Sequence, residues 1–170
     1  MKKIALLFAL YLAFCYYANA QTAEEYYKRG VSKADLGDYR GSIQDYNKAI
    51  ELDPNYANAY YNRGNAKSNL GDYRSSIQDY NKAIELDPLD ASAYKNRGIS
   101  KTYLSDYSGA IQDFSKAIEI NPNDADAYKG RGFCKAELED FRGAFQDYNK
   151  AIEITPNDEG SFFARGISKA

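Results

Sequence analysis

Proline returns at a fixed interval in this chain, at Pro54, Pro88, Pro122 and Pro156, each 34 residues from the last. That spacing constrains the fold more than any other feature. Gly30, Gly64, Gly98, Gly132 and Gly166 keep the same step, as do Ala49, Ala83, Ala117 and Ala151. A unit of this length repeated in phase is one supersecondary element that can bury its apolar face only against its neighbours, so the chain must be a stack of such units. Four full repeats run 23–56, 57–90, 91–124 and 125–158, and residues 159–170 begin a fifth.

Within each repeat the punctuation predicts two helices joined by a tight turn and stopped by proline. Tyr26, Leu36, Tyr39, Ile43, Tyr46 and Ile50 lie at helical spacing, and Tyr128, Leu138, Phe141, Phe145, Tyr148 and Ile152 repeat the pattern, so these side chains are expected in the core. Small residues, Gly30, Ser42 and Ala49, stand where two helices must approach closely. Gly37 and Gly71 suit the left-handed residue that closes a helix, and Asp38, Asp72, Asp106 and Asp140 are placed to cap the next one. Ser105 and Glu139 replace that glycine later in the chain, which predicts turns that are strained or differently closed. Asp53-Pro54, Asp87-Pro88, Asn121-Pro122 and Thr155-Pro156 end the second helices, because proline lacks the donor and disfavours helix in its predecessor.

The N-terminus has a different character. Lys2 and Lys3 precede the apolar run Ile4 to Phe14, which is too short to span a bilayer comfortably and ends in Ala18-Asn19-Ala20, the small-x-small pattern of a signal-peptidase site. Residues 1–20 are therefore expected to be a removable signal peptide, leaving a domain of residues 21–170 that is exported to the periplasm or secreted. Leu12-Ala13-Phe14-Cys15 offers an alternative, a lipoprotein anchored at Cys15, although Phe14 departs from the small residue such a site prefers. Loss of Lys2 and Lys3 takes the net charge from −2 to −4. With no cationic excess the chain is a poor nucleic-acid binder, and with no His it lacks the usual general base and the commonest zinc ligand. No enzyme activity, cofactor or metal is expected. Paired acids such as Glu137 and Glu139 lack the recessed setting that acid–base catalysis needs. Cys134 aligns with Ser32, Ala66, Ser100 and Ser168, a set defined by small size, which makes it a packing residue.

The phased residues resemble the tetratricopeptide repeat family, which places an aromatic where Tyr26 stands, glycine at Gly30, alanine where Ser42 stands, an aromatic at Tyr46, alanine at Ala49 and proline at Pro54. Arg29 and Lys33 and their equivalents depart from that pattern, as do Ser42 and Ser76, without threatening it. The resemblance implies an all-α fold, a right-handed α-solenoid of antiparallel helix pairs whose concave groove, lined by the first helices, holds a peptide or a partner's helix. The groove positions it designates vary along the chain: Glu24, Tyr27, Val31 and Asp35, then Asn58, Tyr61, Asn65 and Asn69, then Lys95, Ile99 and Tyr103, and lastly Lys129, Phe133 and Glu137. Tyr27 and Tyr61, stacked and with asparagines nearby, would hydrogen-bond a peptide backbone while aromatic faces hold its side chains.

Arg29, Arg63, Arg97 and Arg131, with Lys33, Lys67, Lys101 and Lys135 one turn on, form a basic stripe that either grips an acidic ligand or pairs with Asp45, Asp79, Asp113 and Asp147. Pairing is the expectation, since a charge at a helix seam needs a partner. Related domains also grip the C-terminal carboxylate of chaperones with a set of cations and asparagines. The matching positions hold Tyr27, Val31, Asn62, Ser92 and Asn96 from the first repeat, and Tyr61, Asn65, Asn96, Asp126 and Gly130 from the second. From the third they hold Lys95, Ile99, Gly130, Gly160 and Ala164, so no start supplies the cations and that clamp is not expected. The functional expectation is a protein-binding scaffold of the bacterial cell envelope. Self-association through the open array ends is its rival, because Phe162, Phe163 and Ile167 lie on a fifth-repeat helix with no polar closing helix.

Overall fold

The structure, a computed structural model, describes residues 22–156. The signal-like segment 1–20 with Cys15, and the partial repeat 159–170 with Phe162, Phe163 and Ile167, lie outside the described residues. Among the described residues the chain forms eight helices and no strand: α1 Ala23–Asp35, α2 Tyr39–Leu52, α3 Ala57–Asn69, α4 Tyr73–Leu86, α5 Ala91–Tyr103, α6 Tyr107–Ile120, α7 Ala125–Glu137 and α8 Phe141–Ile154. Each first helix packs on the second helix of its own repeat, and each second helix packs on the first helix of the next; first helices of neighbouring repeats touch only lightly. Contacts therefore run from one repeat to the next along the stack, and the fold is an α-solenoid.

Local chemistry sets the helix ends. Thr22 and Glu25 form a reciprocal capping box at the start of α1. Asp38, Asp72, Asp106 and Asp140 each accept a hydrogen bond from the third backbone N–H of the following helix. Gly37 and Gly71 adopt φ 79° and 80°, and Ser105 and Glu139 adopt φ 60° and 64° in the same turn. Closure is identical in all four: Gly37 N–H reaches Ala34 O at 2.9 Å and Asp38 N–H reaches Lys33 O at 2.9 Å, matched by Ser105 to Thr102 and Asp106 to Lys101 at the same distances. The later turns are thus strained but not differently closed, at roughly 1–2 kcal/mol per left-handed non-glycine residue.

Small residues let the paired helices meet. A β-carbon on Gly30 would stand 2.6 Å from Tyr46 Cε1, and one on Gly64 2.8 Å from Tyr80 Cε1, so these glycines are the flat ground on which the core rings lie. Tyr46, Tyr80 and Phe114 are accordingly 1% exposed. Ser42 and Ser76, buried in the same seams, hydrogen-bond back to Tyr39 O and Tyr73 O at 2.9 Å, which removes the penalty of an unsatisfied hydroxyl. Three residues expected in the core are not there: Leu36 is 87% exposed, Leu138 49% and Phe141 50%. Leu36 and Leu138 are the C-cap residues of α1 and α7, and Phe141 is the first residue of α8, so all three sit at the turns beyond the helix–helix seam.

The basic stripe pairs with the aspartates. Asp45 accepts from Arg29 Nε at 2.9 Å and Nη2 at 2.5 Å, and Lys33 Nζ completes the site at 2.8 Å. Asp79 is held in the same way by Arg63 and Lys67, Asp113 by Arg97 and Lys101, and Asp147 by Arg131 and Lys135. The aspartate side chains are 4–6% exposed, so each buried anion is compensated by a two-point guanidinium and an ammonium. The Arg29 guanidinium holds the Asp45 carboxyl below its ordinary value, with Lys33 reinforcing it against the opposing effect of burial. Arg63 and Arg97 also donate through Nη1 to Asn47 and Asn81 of the preceding repeat at 2.7 Å, stitching one unit to the next.

Candidate functional site

Among the described residues, two open cavities lie along the first helices and a third sits at the α6–α7 turn beside the end of α8, and their chemistry changes along the stack. The first, about 280 Å3, lies between repeats two and three and is lined by Asn65, Ser68, Asn69, Tyr80, Asn96 and Ile99. Asn96 Nδ2 donates to Tyr61 Oη at 3.1 Å and to Asn65 Oδ1 at 2.9 Å, and Tyr80 Oη donates to the same Asn65 oxygen at 2.8 Å. Asn62 Nδ2 donates to Tyr27 Oη at 2.9 Å, and Asn65 Nδ2 reaches Asn62 Oδ1 at 3.4 Å. The result is a hydrogen-bonded chain across three repeats. Asn65 Oδ1 accepts twice and Asn96 Nδ2 donates twice, so both are saturated; Asn96 Oδ1 and the second amide hydrogens of Asn65 and Asn69 remain for a ligand.

The second cavity, about 500 Å3, adjoins the first across Ile99 and is lined by Ile99, Thr102, Tyr103, Ser105, Tyr107, Phe114, Gly130 and Phe133. Ile99, Tyr103 and Phe133 are exposed there, Tyr103 at 65%. Tyr103 is held flat by Tyr73, with centroids 4.4 Å apart and planes within 3°. Tyr107 meets Phe133 edge-on at 6.3 Å. Gly130 and Phe114 share the floor, where a β-carbon on Gly130 would fall 2.5 Å from Phe114 Cζ. The third cavity, about 400 Å3, is polar and includes Lys95, Asp124, Asp126 and Lys129. Its cations are engaged: Lys95 Nζ with Asp124 at 2.8 Å and Lys129 Nζ with Asp126 at 2.8 Å.

Seven of the groove residues named from sequence therefore line a cavity: Asn65, Asn69, Ile99, Tyr103, Phe133, Lys95 and Lys129. Tyr27, Val31, Asn58 and Tyr61 line none of the three. Among the described residues Tyr27 and Tyr61 form no ring pair with each other; they tilt on Tyr46 and Tyr80 of their own repeats at 6.0 and 6.1 Å. Burial raises the Tyr27 hydroxyl, which the hydrogen bond from Asn62 partly offsets. Glu24 is hydrogen-bonded by Tyr56 and paired with Lys28, so its charge is already met. Sequence reasoning did not single out Ser68, Thr102, Tyr107, Phe114 or Gly130 as groove residues, and it weighed Asn96 only for the carboxylate clamp. Reading equivalent positions in register finds them: Lys28, Asn62, Asn96 and Gly130 occupy one column, and the loss of a side chain at Gly130 marks the opening.

Cys134 is fully buried, with Sγ 3.2 Å from Thr102 Oγ1, and burial pushes its thiol up, the opposite of activation. Among the described residues no group of three His, Cys, Asp or Glu side chains is placed to hold a metal ion. Among them, too, no helix is long and apolar enough to cross a membrane.

A stack of helix pairs held by a repeated internal frame, with a face whose chemistry varies from unit to unit, defines the class of repeat scaffolds that present an extended binding surface. A family profile described as "TPR repeat" matches residues 25–71, and profiles described as "Tetratricopeptide repeat" match 57–89, 91–124 and 125–158. The chain belongs to the tetratricopeptide repeat family. Over 41 residues it is 46% identical to the uncharacterized protein MJ0572 of Methanocaldococcus jannaschii; the match covers 24% of this chain and spans about half (48%) of that relative's length. Among solved structures it is similar to the crystal structure of MamA protein, at a TM-score of 0.82 and 27% identity over 86% of this chain and 80% of that one. It is similar also to the first tetratricopeptide domain of Spaghetti (RPAP3) bound to the HSP90 peptide SRMEEVD, at a TM-score of 0.66 and 25% identity over 66% of this chain and 90% of that one.

Proposed function

We propose that this chain is a non-catalytic scaffold that holds a segment of another protein, extended or helical, in the groove formed by α3, α5 and α7. The observation that carries the reading is the pair of adjoining cavities that share Ile99. One offers unspent amide groups for a peptide backbone, and the other exposes Ile99, Tyr103 and Phe133 without any covering element among the described residues. The hydrogen-bonded floor from Tyr27 to Asn96 preorganises the surface, so ordering costs fall mainly on the partner. A related domain bound to a peptide adds support, as does family membership, since tetratricopeptide repeats are interaction modules. The frame arginines are engaged by aspartate, and the positions of a carboxylate clamp lack its cations, so the groove reading does not rest on an acidic ligand.

The layout of residues 1–20 supports export, with cleavage after Ala20 and action in the cell envelope, lipidation at Cys15 being the alternative. Immobilised residues 21–170 exposed to envelope extract test the groove reading, beside a variant with Tyr61, Asn65, Tyr103 and Phe133 changed to alanine and its helicity verified. Capture by the native chain and loss in the folded variant is the expected result. Equal capture by both removes the groove as the site.

A further inference from the structure

We infer that the bound segment carries one large apolar side chain with a Lys or Arg beside it, and that Gly130 is the specificity-determining residue that admits the apolar group. This rests on the groove reading above and names the ligand chemistry of that groove.

Three positions build the contact between successive repeats on this face. In repeat two they are Asn65, Tyr80 and, from the next unit, Asn96, which hydrogen-bond to one another. In repeat three the same positions hold Ile99, Phe114 and Gly130. All three polar groups are lost together, and the side chain of the third disappears. With the joint change comes a cavity of about 500 Å3 whose floor is the Phe114 ring edge. That volume is far more than a single methyl group occupies, and its exposed walls, Ile99, Tyr103 and Phe133, are large apolar groups that water serves poorly. Gly130 lets the Phe114 ring lie against α7, since a β-carbon there would stand 2.5 Å from Phe114 Cζ; any side chain at position 130 would displace the ring that forms this floor.

Charge then selects what flanks the anchor. No residue lining the cavity carries a formal charge. Two exposed acids adjoin lining residues in the chain: Glu137, one helical turn beyond Phe133, and Asp106, which is next to Ser105 and also caps α6 with its carboxylate. Both carboxylates act on the neighbouring Cys134 thiol. The nearby cations are committed, Lys101 to Asp113 at 2.7 Å, Lys95 to Asp124 and Lys129 to Asp126 at 2.8 Å. An apolar anchor with a basic neighbour complements this rim, whereas an acidic neighbour meets like charge.

A random dodecapeptide library displayed on phage and selected on residues 21–170 tests the inference, with the selected sequences remade as capped, fluorescein-labelled peptides. Expected is one invariant position of Phe, Leu, Ile or Met with Lys or Arg within two residues. Replacing that apolar residue by Ala, or changing the protein by Gly130→Asn, is expected to weaken binding at least about ten-fold. Gly130→Asn must displace the Phe114 ring, so its helicity and urea stability are checked first; Phe133→Ala, at a site 44% exposed, is the second variant and carries the same expectation without that displacement. Glu137→Gln is expected to weaken the basic peptides several-fold and to reduce their sensitivity to salt. Selected peptides that lack the apolar position, carry acidic flanks, or ignore Gly130→Asn and Phe133→Ala while losing affinity in a Tyr61→Ala, Asn65→Ala variant overturn this inference and leave the groove reading standing. Failure to select any peptide, or peptides indifferent to every groove change, overturns both.

Discussion

Repeats two and three, each taken with the first helix of the repeat that follows, share one internal frame and differ on one face. On the frame side, Arg63, Lys67 and Asp79 reappear as Arg97, Lys101 and Asp113 with distances that agree within 0.1 Å. On the groove side, the hydrogen-bonded Asn65, Tyr80 and Asn96 give way to Ile99, Phe114 and Gly130. The lesson is a division of labour within each 34-residue unit. Buried charges need fully specified partners and recur unchanged, whereas the groove triad varies from unit to unit, from Val31, Tyr46 and Asn62 through Asn65, Tyr80 and Asn96 to Ile99, Phe114 and Gly130.

The largest expected effect breaks the shared side. Asp79→Ala and Asp113→Ala each leave an Arg and a Lys facing an empty seam, and each is expected to lose about 3–5 kcal/mol in urea unfolding. The two losses should match; a difference beyond about 1 kcal/mol would show that the two repeats do not share a frame. Next in size is an exchange across the groove triads. Asn65→Ile removes the acceptor of the Tyr80 hydroxyl and one of the two acceptors of Asn96 Nδ2 and is expected to cost about 1–3 kcal/mol, while Ile99→Asn, at a partly exposed site with no polar partner to disappoint, should stay within about 0.5 kcal/mol.

Acid sharpens the contrast further. The Asp45 carboxyl is lowered in the folded state by Arg29, so its contribution to stability is present above its ordinary value of 3.8 and is lost as pH falls through the lower folded value. Thermal midpoints are therefore expected to drop only under strongly acidic conditions, and Asp45→Asn should flatten that dependence, whereas Asn65→Ile should not. The smallest effect concerns the turns. Ser105→Gly removes a non-glycine residue from φ 60° and is expected to stabilise by roughly 0.5–1 kcal/mol, with no counterpart at Gly71, which already has φ 80°.

Much of this was legible in the sequence, and the misses have physical causes. The proline, glycine and alanine period suffices for the fold because a repeated unit meets the same neighbours each time. Asp45 and its equivalents announced the frame, since a charge at a recurring small-residue seam has to be paired. Leu36, Leu138 and Phe141 misled because helical spacing identifies a face but not where the helix ends, and cap residues leave that face. The groove was legible only in part. Position within a repeat marks Asn65, Ile99 and Phe133 as surface, but whether an amide is spent on a neighbour depends on the residue one repeat away, as Asn96 shows. Gly130 was invisible as a groove residue because its contribution is an absent side chain, detectable only against Asn62 and Asn96 in register.

The most direct test of the central claim is site-specific photocrosslinking, with a benzophenone amino acid placed singly at position 103 in the groove or at position 119, an exposed site of α6 that lines none of the three cavities described. Each protein is irradiated in envelope extract and examined for covalent adducts with another chain. The account predicts an adduct from position 103 that Phe133→Ala diminishes, and none of that size from position 119. The same adduct from position 119, with none from position 103, would contradict it.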